Sequence, residues 1–164
     1  MEWSKAHPDI KIRKAVPKDA AKLADFRVGF LNEFFEHPAD EESERLRENI
    51  ALYYREHLDK GDFIALICEK DKKLIASIGM IIRTMPPVYG NLMNGKLGYL
   101  LNIHTLPAYH GMGITGELTR IMVQEARELD LGYIHLHTGL DAVRIYQKMG
   151  FKEVTATELR MDLK

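Results

Sequence analysis

The stretch from Gly98 to Gly116, GYLLNIHTLPAYHGMGITG, limits what this chain can fold into more than any other part of its sequence. It begins as an apolar strand from Tyr99 to Thr105 and passes through a turn marked by Pro107. A glycine-rich loop then leads into a helical pattern from Glu117 to Leu129. The first amides of a helix have no partner inside it and lie at the positive end of the peptide dipole, so this junction predicts an anion site. The alternative is a simple tight corner, because the dinucleotide fingerprint G-x-G-x-x-G is not matched.

The composition indicates one globular domain spanning residues 1–164. A chain of 164 residues can bury a proper core, and its net charge of −1 argues against a nucleic-acid-binding protein. No stretch reaches the roughly 18 apolar residues that a membrane span needs, and the first residues lack the apolar centre of a signal peptide. The single cysteine, Cys68, lies in an apolar run and is expected to be buried in a strand. We therefore expect a cytoplasmic protein with no membrane partner.

The first third of the chain predicts one strand and two helices. Residues 10–15 alternate between apolar and polar and predict a strand, and the helical spacing of residues 17–34 predicts a helix. Asp40 is the expected cap of a second helix that ends near Leu58. The residues expected to face inward from this helix are Leu46, Ile50, Tyr53, Tyr54 and His57. The charged residues between them form either a solvated face or an acidic rim beside the substrate.

The rest of the chain predicts strands with two further helices. Two apolar runs around Asp71, Lys72 and Lys73 predict a hairpin. The irregular segment from Met85 to Lys96 is either a long hairpin loop or a flap beside the active site. After the strand 97–105 and the helix 117–129, the remaining elements are a strand, a short helix and a closing strand over residues 133–138, 140–149 and 151–161. Together they predict an α/β (α+β) fold with one mixed sheet flanked by helices.

Two motifs in the second half carry a resemblance to a known family. With the order of elements, the segments PAYHGMGITGEL and AVRIYQKMGF resemble the GNAT superfamily of acetyl-CoA-dependent N-acetyltransferases across essentially the whole chain. A bacterial subgroup shares the pattern occupied here by Asn102, Ile103, His104, Thr105 and Pro107. The resemblance implies the GNAT fold, a single mixed, mostly antiparallel sheet with one splayed strand pair, flanked by about four helices.

The family's acetyl-CoA loop has the pattern Arg/Gln-x-x-Gly-x-Gly/Ala. His110, Gly113 and Thr115 occupy its three positions here, so only the glycine fits strictly, and His110 replaces a residue that is often a permanently charged arginine. Backbone amides can still hold phosphate without that charge. The resemblance implies that the pyrophosphate binds the loop of His110, Gly111, Met112, Gly113, Ile114, Thr115 and Gly116. It further implies that the pantetheine arm binds main-chain groups of Ile103, His104 and Thr105, between the strands 97–105 and 133–138.

The family's later motif supplies the candidate general acid. Its positions are occupied here by Ala142, Ile145, Tyr146, Gly150 and Phe151, with Gly139 where an asparagine is common. Tyr146 matches the family's usual acid, which also contacts the coenzyme, and a phenol is protonated at pH 7 and can donate to a leaving thiolate. The alternative is a tyrosine that only packs between helix and sheet.

The general base stays open at the level of sequence. Some family members place a carboxylate early in the central strand, where this chain has Leu97 and Gly98. His104 is our candidate, because histidine titrates in the useful range. Asn102 is a second candidate, and it alternates onto the same face of the strand as His104. The other candidates are His137, Glu33, Glu36 and a water molecule.

The sequence therefore predicts an enzyme that acetylates a primary amine of a small molecule by direct transfer from acetyl-CoA, with no metal. The acceptor is expected to contact the first two helices and the loop from Met85 to Lys96. The alternatives are acetylation of a protein lysine or N-terminus, and a non-catalytic acyl-CoA-binding regulatory domain. A homodimer is possible, because two-fold dimers are frequent.

Overall fold

The computed structural model of the chain describes residues 3–163. In chain order its elements are α1 (Trp3–Ala6), β1 (Ile10–Lys14), α2 (Ala20–Phe34), α3 (Glu41–Lys60), β2 (Phe63–Lys70), β3 (Lys73–Thr84), β4 (Lys96–Thr105), α4 (Ile114–Glu128), β5 (Tyr133–Leu136) and α5 (Leu140–Lys148). Short 3₁₀ turns, Pro17–Asp19 and Pro107–Tyr109, precede α2 and α4. None of the helices within the described residues has the length and apolar character needed to cross a membrane.

The strands form one sheet in the order β1-β2-β3-β4-β5. Neighbouring strands are antiparallel except β4 and β5, which are parallel and joined by the crossover helix α4. The β2–β3 hairpin turns at Asp71 and Lys72, whose φ angles of 50° and 65° are typical of two-residue turns that match the strand twist. The mixed, mostly antiparallel sheet implied by the family resemblance is confirmed.

Apolar clusters lie on both faces of this sheet. Successive side chains of a strand point to opposite faces, so Phe63, Ala65 and Ile67 of β2 pack under α2 and α3. Leu66 and Cys68 point the other way and pack under α4. Burial raises the pKa of the Cys68 thiol to about 11, so it stays protonated and unreactive near neutral pH.

The helix α3 begins where the sequence predicts, at the cap Asp40. The Asp40 carboxylate accepts hydrogen bonds from the amides of Glu42 and Ser43, both at 3.0 Å. Replacing such a cap by alanine typically costs about 1 kcal/mol. This cap fixes how α3 leaves the turn after α2, and the two helices together cover one face of the sheet.

The strands β4 and β5 pair along only part of their length. Their register runs from Leu97 opposite Tyr133 to Leu100 opposite Leu136, where β5 ends. β4 continues for five more residues, to Thr105, without a partner on that side. The parting of this strand pair is the splay that the family resemblance implies, and it leaves main-chain groups of β4 available to a ligand.

A β-bulge lies in this unpaired half of β4. Opposite β3, Leu101 pairs with Gly79 and His104 pairs with Ser77, so β4 carries one extra residue between them. Asn102 has a φ of 55°, a left-handed conformation that asparagine tolerates better than most residues. The bulge therefore redirects the chain at the point where β4 leaves β5.

The closing strand predicted over residues 151–161 is wrong. Residues 151–163 pair with no strand of the described sheet. Phe151 packs on the core, but the apolar side chains after it stay in solvent, with Val154 82% and Leu159 89% exposed. An alternating pattern forms a strand only when it pairs with a neighbour, and this segment makes no such pairing in the described sheet.

Other boundaries differ by smaller amounts. Leu46 was expected to face inward but is 39% exposed, because α3 packs on the sheet through residues further along, such as Ala51 and Tyr54. The helix predicted from Glu117 begins earlier, at Ile114, and the strand predicted to residue 138 ends at residue 136. The sequence pattern predicted no helix where α1 lies.

Candidate active site

The glycine turn before α4 is rich in free backbone amides. Gly111 and Gly113 have φ angles of 81° and 74°, and Gly113 is the N-cap of α4. The first hydrogen bond of the helix runs from the Glu117 amide to the Gly113 carbonyl, at 3.0 Å. The six amides of residues 111–116 donate to no acceptor within residues 3–163. Such a cluster at a helix N-terminus is suited to bind an anion.

The side chains of this turn tie it to the end of β4. The Nε2 atom of His110 lies 2.8 Å from the Thr105 carbonyl oxygen, to which its N–H donates. The hydroxyls of Thr105 and Thr115 lie 3.1 Å apart and share a hydrogen bond. The turn and the unpaired half of β4, both predicted to contact the coenzyme, are therefore joined directly.

Trp3 also holds this turn, although it lies more than a hundred residues away in the sequence. Its indole N–H donates to the Met112 carbonyl oxygen at 2.8 Å, and a Cβ atom added to Gly113 would lie 3.5 Å from the indole nitrogen. His7 stacks on the indole with ring centroids 4.4 Å apart. The sequence analysis missed Trp3, because no motif marks it.

The other side of β4 presents side chains to α2 and α3. The Asn102 side-chain N–H donates to the Tyr54 hydroxyl at 2.5 Å. The ring of His104 packs between Phe26 and Phe30, with centroids 5.1 Å and 4.6 Å away. Burial lowers the pKa of His104, so the imidazole is neutral at pH 7. His104 and Asn102 line the same cavity, as expected from their alternation along the strand.

Tyr146 lies on the buried face of α5. Its side chain is 7% exposed, and its ring meets Phe151 edge-on at 5.8 Å. Burial raises the pKa of Tyr146, so the phenol keeps its proton at neutral pH. The hydroxyl makes no hydrogen bond within the part of the chain that the structure describes, which leaves its proton uncommitted.

The other base candidates are less suitable. His137 is exposed, and its ring nitrogens already contact the Tyr99 hydroxyl at 3.1 Å and the Glu158 carboxylate at 2.6 Å. Glu33 and Glu36 are exposed at the end of α2. Burial lowers the pKa of His104, whereas the negative charge of Glu33 raises it, because a nearby carboxylate favours the imidazolium. His104 is therefore the candidate base with the most suitable surroundings.

The loop that ends at Gly95 lies at the far end of β4. Its Asn94 side chain donates to the Asp130 carbonyl at 2.6 Å, and the Gly132 amide donates to Lys96 at 2.9 Å. β4 then runs ten residues, about 30 Å, before it reaches Thr105. The segment connects β3 to β4 as a long hairpin loop, and none of its residues lines the cavity of Asn102 and His104. A flap and acceptor contacts from this loop stay predictions.

The parted sheet and the glycine turn define the class of protein, an acyltransferase built around a coenzyme cleft. The family model described as acetyltransferase (GNAT) family matches residues 27–151, which is most of the chain. The chain belongs to the GNAT family of acetyltransferases. A comparison with curated proteins finds no match.

Solved structures of the same fold cover nearly the whole chain. A predicted acetyltransferase from Clostridium acetobutylicum, solved with acetyl-CoA, is 25% identical, with a TM-score of 0.82 over 94% of this chain and 96% of the other. A GCN5-related N-acetyltransferase from Ralstonia eutropha is 20% identical, with a TM-score of 0.76 over 93% and 98%. An aminoglycoside acetyltransferase from an uncultured soil metagenomic sample, solved with trehalose, is 14% identical, with a TM-score of 0.73 over 96% and 99%. The last two likenesses show the fold alone.

Proposed function

We propose that this chain, as a single domain of residues 1–164, transfers an acetyl group from acetyl-CoA to the primary amine of a small molecule. Transfer is direct, within a ternary complex. The observation that carries the proposal is the parting of β4 from β5 beside a turn of free amides.

The residues present fit the coenzyme. Phosphate oxygens would satisfy the amides of residues 111–116, which have no acceptor among the described residues. The main-chain groups of residues 101–105 face no strand on the β5 side, so the pantetheine amides would pair with them as an added strand does. When bound, the coenzyme supplies the acetyl group as an activated thioester. One well-aimed main-chain donor to the reacting carbonyl is typically worth about 3 kcal/mol of barrier.

Two side chains, the half-buried His104 and the buried Tyr146, supply the proton transfers in this proposal. His104, neutral because burial lowers its pKa, accepts the proton that the amine loses as its nitrogen bonds to the acetyl carbon. Tyr146 keeps its proton because burial raises its pKa, and it donates that proton to the sulfur as the carbon–sulfur bond breaks. A water molecule is the alternative to His104, since positioning alone supplies much of the rate.

The test is a coupled assay on the purified protein. Acetyl-CoA is mixed with a panel of amines, and a thiol-detecting dye follows release of CoA. Release with a small amine, lost in Tyr146→Phe, supports the proposal. Coenzyme binding without release of CoA across the panel would instead indicate a non-catalytic acyl-CoA-binding domain. If calorimetry with CoA shows no binding heat, the acetyl-transfer proposal and this alternative are both refuted.

A further inference from the structure

A cavity beside His104 lies between the sheet and the helices α2 and α3. Its walls are mostly apolar, and its polar groups come from four elements: Arg27 of α2, Tyr54 of α3, Ser77 of β3, and Asn102 and His104 of β4. The lining residues that matter for the argument are Phe26, Arg27, Phe30, Tyr54, Asn102 and His104. The free space inside is close to that of one water molecule, so a compact ligand would displace fewer side chains than a bulky one.

Arg27 lines this cavity without a counter-ion. Its side chain is half-buried on α2, and no hydrogen bond or ion pair joins it to any of residues 3–163. By contrast, Arg47 on α3 binds the carboxylates of Glu44 and Asp25. A guanidinium is always charged and its planar fork matches a carboxylate, so a partly desolvated one without a partner is suited to a carboxylate ligand.

Asn102 adds a second unsatisfied group to the same cavity. Its side-chain oxygen is fully buried and is the one such side-chain atom in the described chain without a hydrogen-bond partner. Turning the amide over would let the Tyr54 hydroxyl donate to that oxygen, but the amide nitrogen would then be the group left unmatched. Leaving a buried polar group unmatched is costly, so a polar ligand atom is expected here.

We propose that the acceptor is a free amino acid with a compact apolar side chain, whose carboxylate binds Arg27. This inference rests on the proposed acetyl transfer and deepens it. The amine would lie toward Asn102 and the neutral His104, and the side chain against Phe26 and Phe30. A polyamine or an aminoglycoside is excluded by this arrangement, because its positive charges would meet Arg27 in a poorly solvated cavity.

Matched pairs of acceptors test the carboxylate directly. Alanine is compared with alaninamide, and leucine with leucinamide, with spermidine and kanamycin as polycations. We expect kcat/KM for each amino acid to exceed that for its amide at least about tenfold. The amides have the less basic amines and more free base at pH 7.5, so their intrinsic reactivity opposes the expected preference.

Arg27→Gln separates recognition from folding. For leucine it is expected to lower kcat/KM about 10- to 100-fold, mainly through KM, because a charge-assisted contact is lost. For leucinamide, and for the KM of acetyl-CoA, no change is expected. The control is Arg55→Gln, since Arg55 is exposed on the same helix as Tyr54 and does not line the cavity.

The outcomes distinguish failure of the amino acid assignment from failure of the proposed acetyl transfer. Equal use of acids and amides, or faster release with spermidine or kanamycin, overturns the amino acid assignment and leaves acetyl transfer intact. If no amine releases CoA, the acetyl-transfer proposal fails, and calorimetry of leucine added to the protein–CoA complex decides the rest. Leucine binding that is lost in Arg27→Gln supports a carboxylate subsite, and absence of leucine binding refutes it.

Discussion

Beyond the point where β4 leaves β5, the two sides of this strand offer different kinds of groups to a ligand. Toward α4 the site consists of backbone: the amides of residues 111–116 and the unpaired main chain of residues 101–105. Toward α2 and α3 it consists of side chains, namely Arg27, Tyr54 and His104 with their aromatic neighbours. In the proposed reaction, the first side would hold the coenzyme and the second would face the acceptor.

Because of this difference, we expect the backbone side to tolerate substitution and the side-chain side to decide specificity. Backbone donors depend on φ and ψ, so His110 can stand where an arginine is common and still link the turn to Thr105. Side-chain donors depend on the identity of each residue, and exchanging one changes what the cavity accepts. The predictions below separate the two sides, from the largest expected effect to the smallest.

Tyr146→Phe tests whether acetyl transfer needs a proton from Tyr146, which lies on α5 and belongs to neither side of β4. We expect kcat to fall about 100-fold, the typical contribution of a positioned general acid. The phenylalanine keeps the ring that packs on Phe151, so the melting temperature should not change. Steady-state thiol release measures the effect, and an unaltered kcat would remove Tyr146 from the mechanism.

His104→Gln tests the acceptor side, with an expected loss of kcat/KM of about tenfold to a hundredfold. The neutral imidazole is the active form, so in the native enzyme kcat/KM should rise with pH through a pKa below the ordinary 6.5, because burial lowers it. The variant should lose this contribution and keep only the rise that comes from ionisation of the amine itself. pH profiles of both proteins from 5 to 8 check the expectation, and profiles of identical shape would assign the proton transfer to water.

The lowered pKa of His104 also makes the free energy of unfolding depend on pH. The folded protein holds the neutral form more strongly than the unfolded chain does, so the stabilisation is present above the ordinary pKa of 6.5. It is lost as the pH falls below that value, because the unfolded chain then takes up a proton that the folded chain resists. Urea unfolding across this window should show the loss in the native protein and less of it in His104→Gln.

Gly113→Ala tests the backbone side. A left-handed residue with a Cβ costs about 1–2 kcal/mol, and the turn would relax from its present geometry, so coenzyme affinity should fall about tenfold. The matched control is Gly29→Ala in α2, where a Cβ meets nothing within 4 Å and alanine favours the helix. Calorimetry with CoA measures both variants, and equal affinities would show that the geometry of the turn is not required.

Trp3→Phe is expected to have the smallest effect on the backbone side. It keeps a ring against the turn and removes the hydrogen bond to the Met112 carbonyl, typically worth about 1 kcal/mol. Coenzyme affinity should fall about threefold to fivefold, while kcat and the KM of the amine stay constant. A change in the KM of the amine of the same size would indicate a general loss of structure instead.

The backbone side could be predicted from sequence because its determinants are local. Gly111 and Gly113 adopt the left-handed conformations that their spacing before a helix suggests, and the turn carries the free amides that such a junction predicts. Two features of this side were missed. Trp3 reaches the turn from the other end of the chain, and the start of α4 at Ile114 was hidden by the glycine two residues later.

The side-chain part of the site could be predicted only in pieces. Asn102 and His104 were expected to share a face of their strand, and Tyr54 was expected to face inward, but the sequence does not show that these residues meet. In the sequence, nothing distinguishes Arg27 from other polar residues of α2, and only the structure shows that it lines the cavity. The closing strand failed for the same reason, because its pattern says nothing about whether a partner edge is near.

The contact between Trp3 and the glycine turn has a practical consequence. Trp3 is the single tryptophan of the chain, so its fluorescence comes from one indole, in hydrogen-bonding contact with Met112. An anion that settles on the neighbouring amides changes the local electric field at that indole. The emission spectrum of the unlabelled protein should therefore report occupation of the turn, and an optical titration can follow it in the absence of any acceptor.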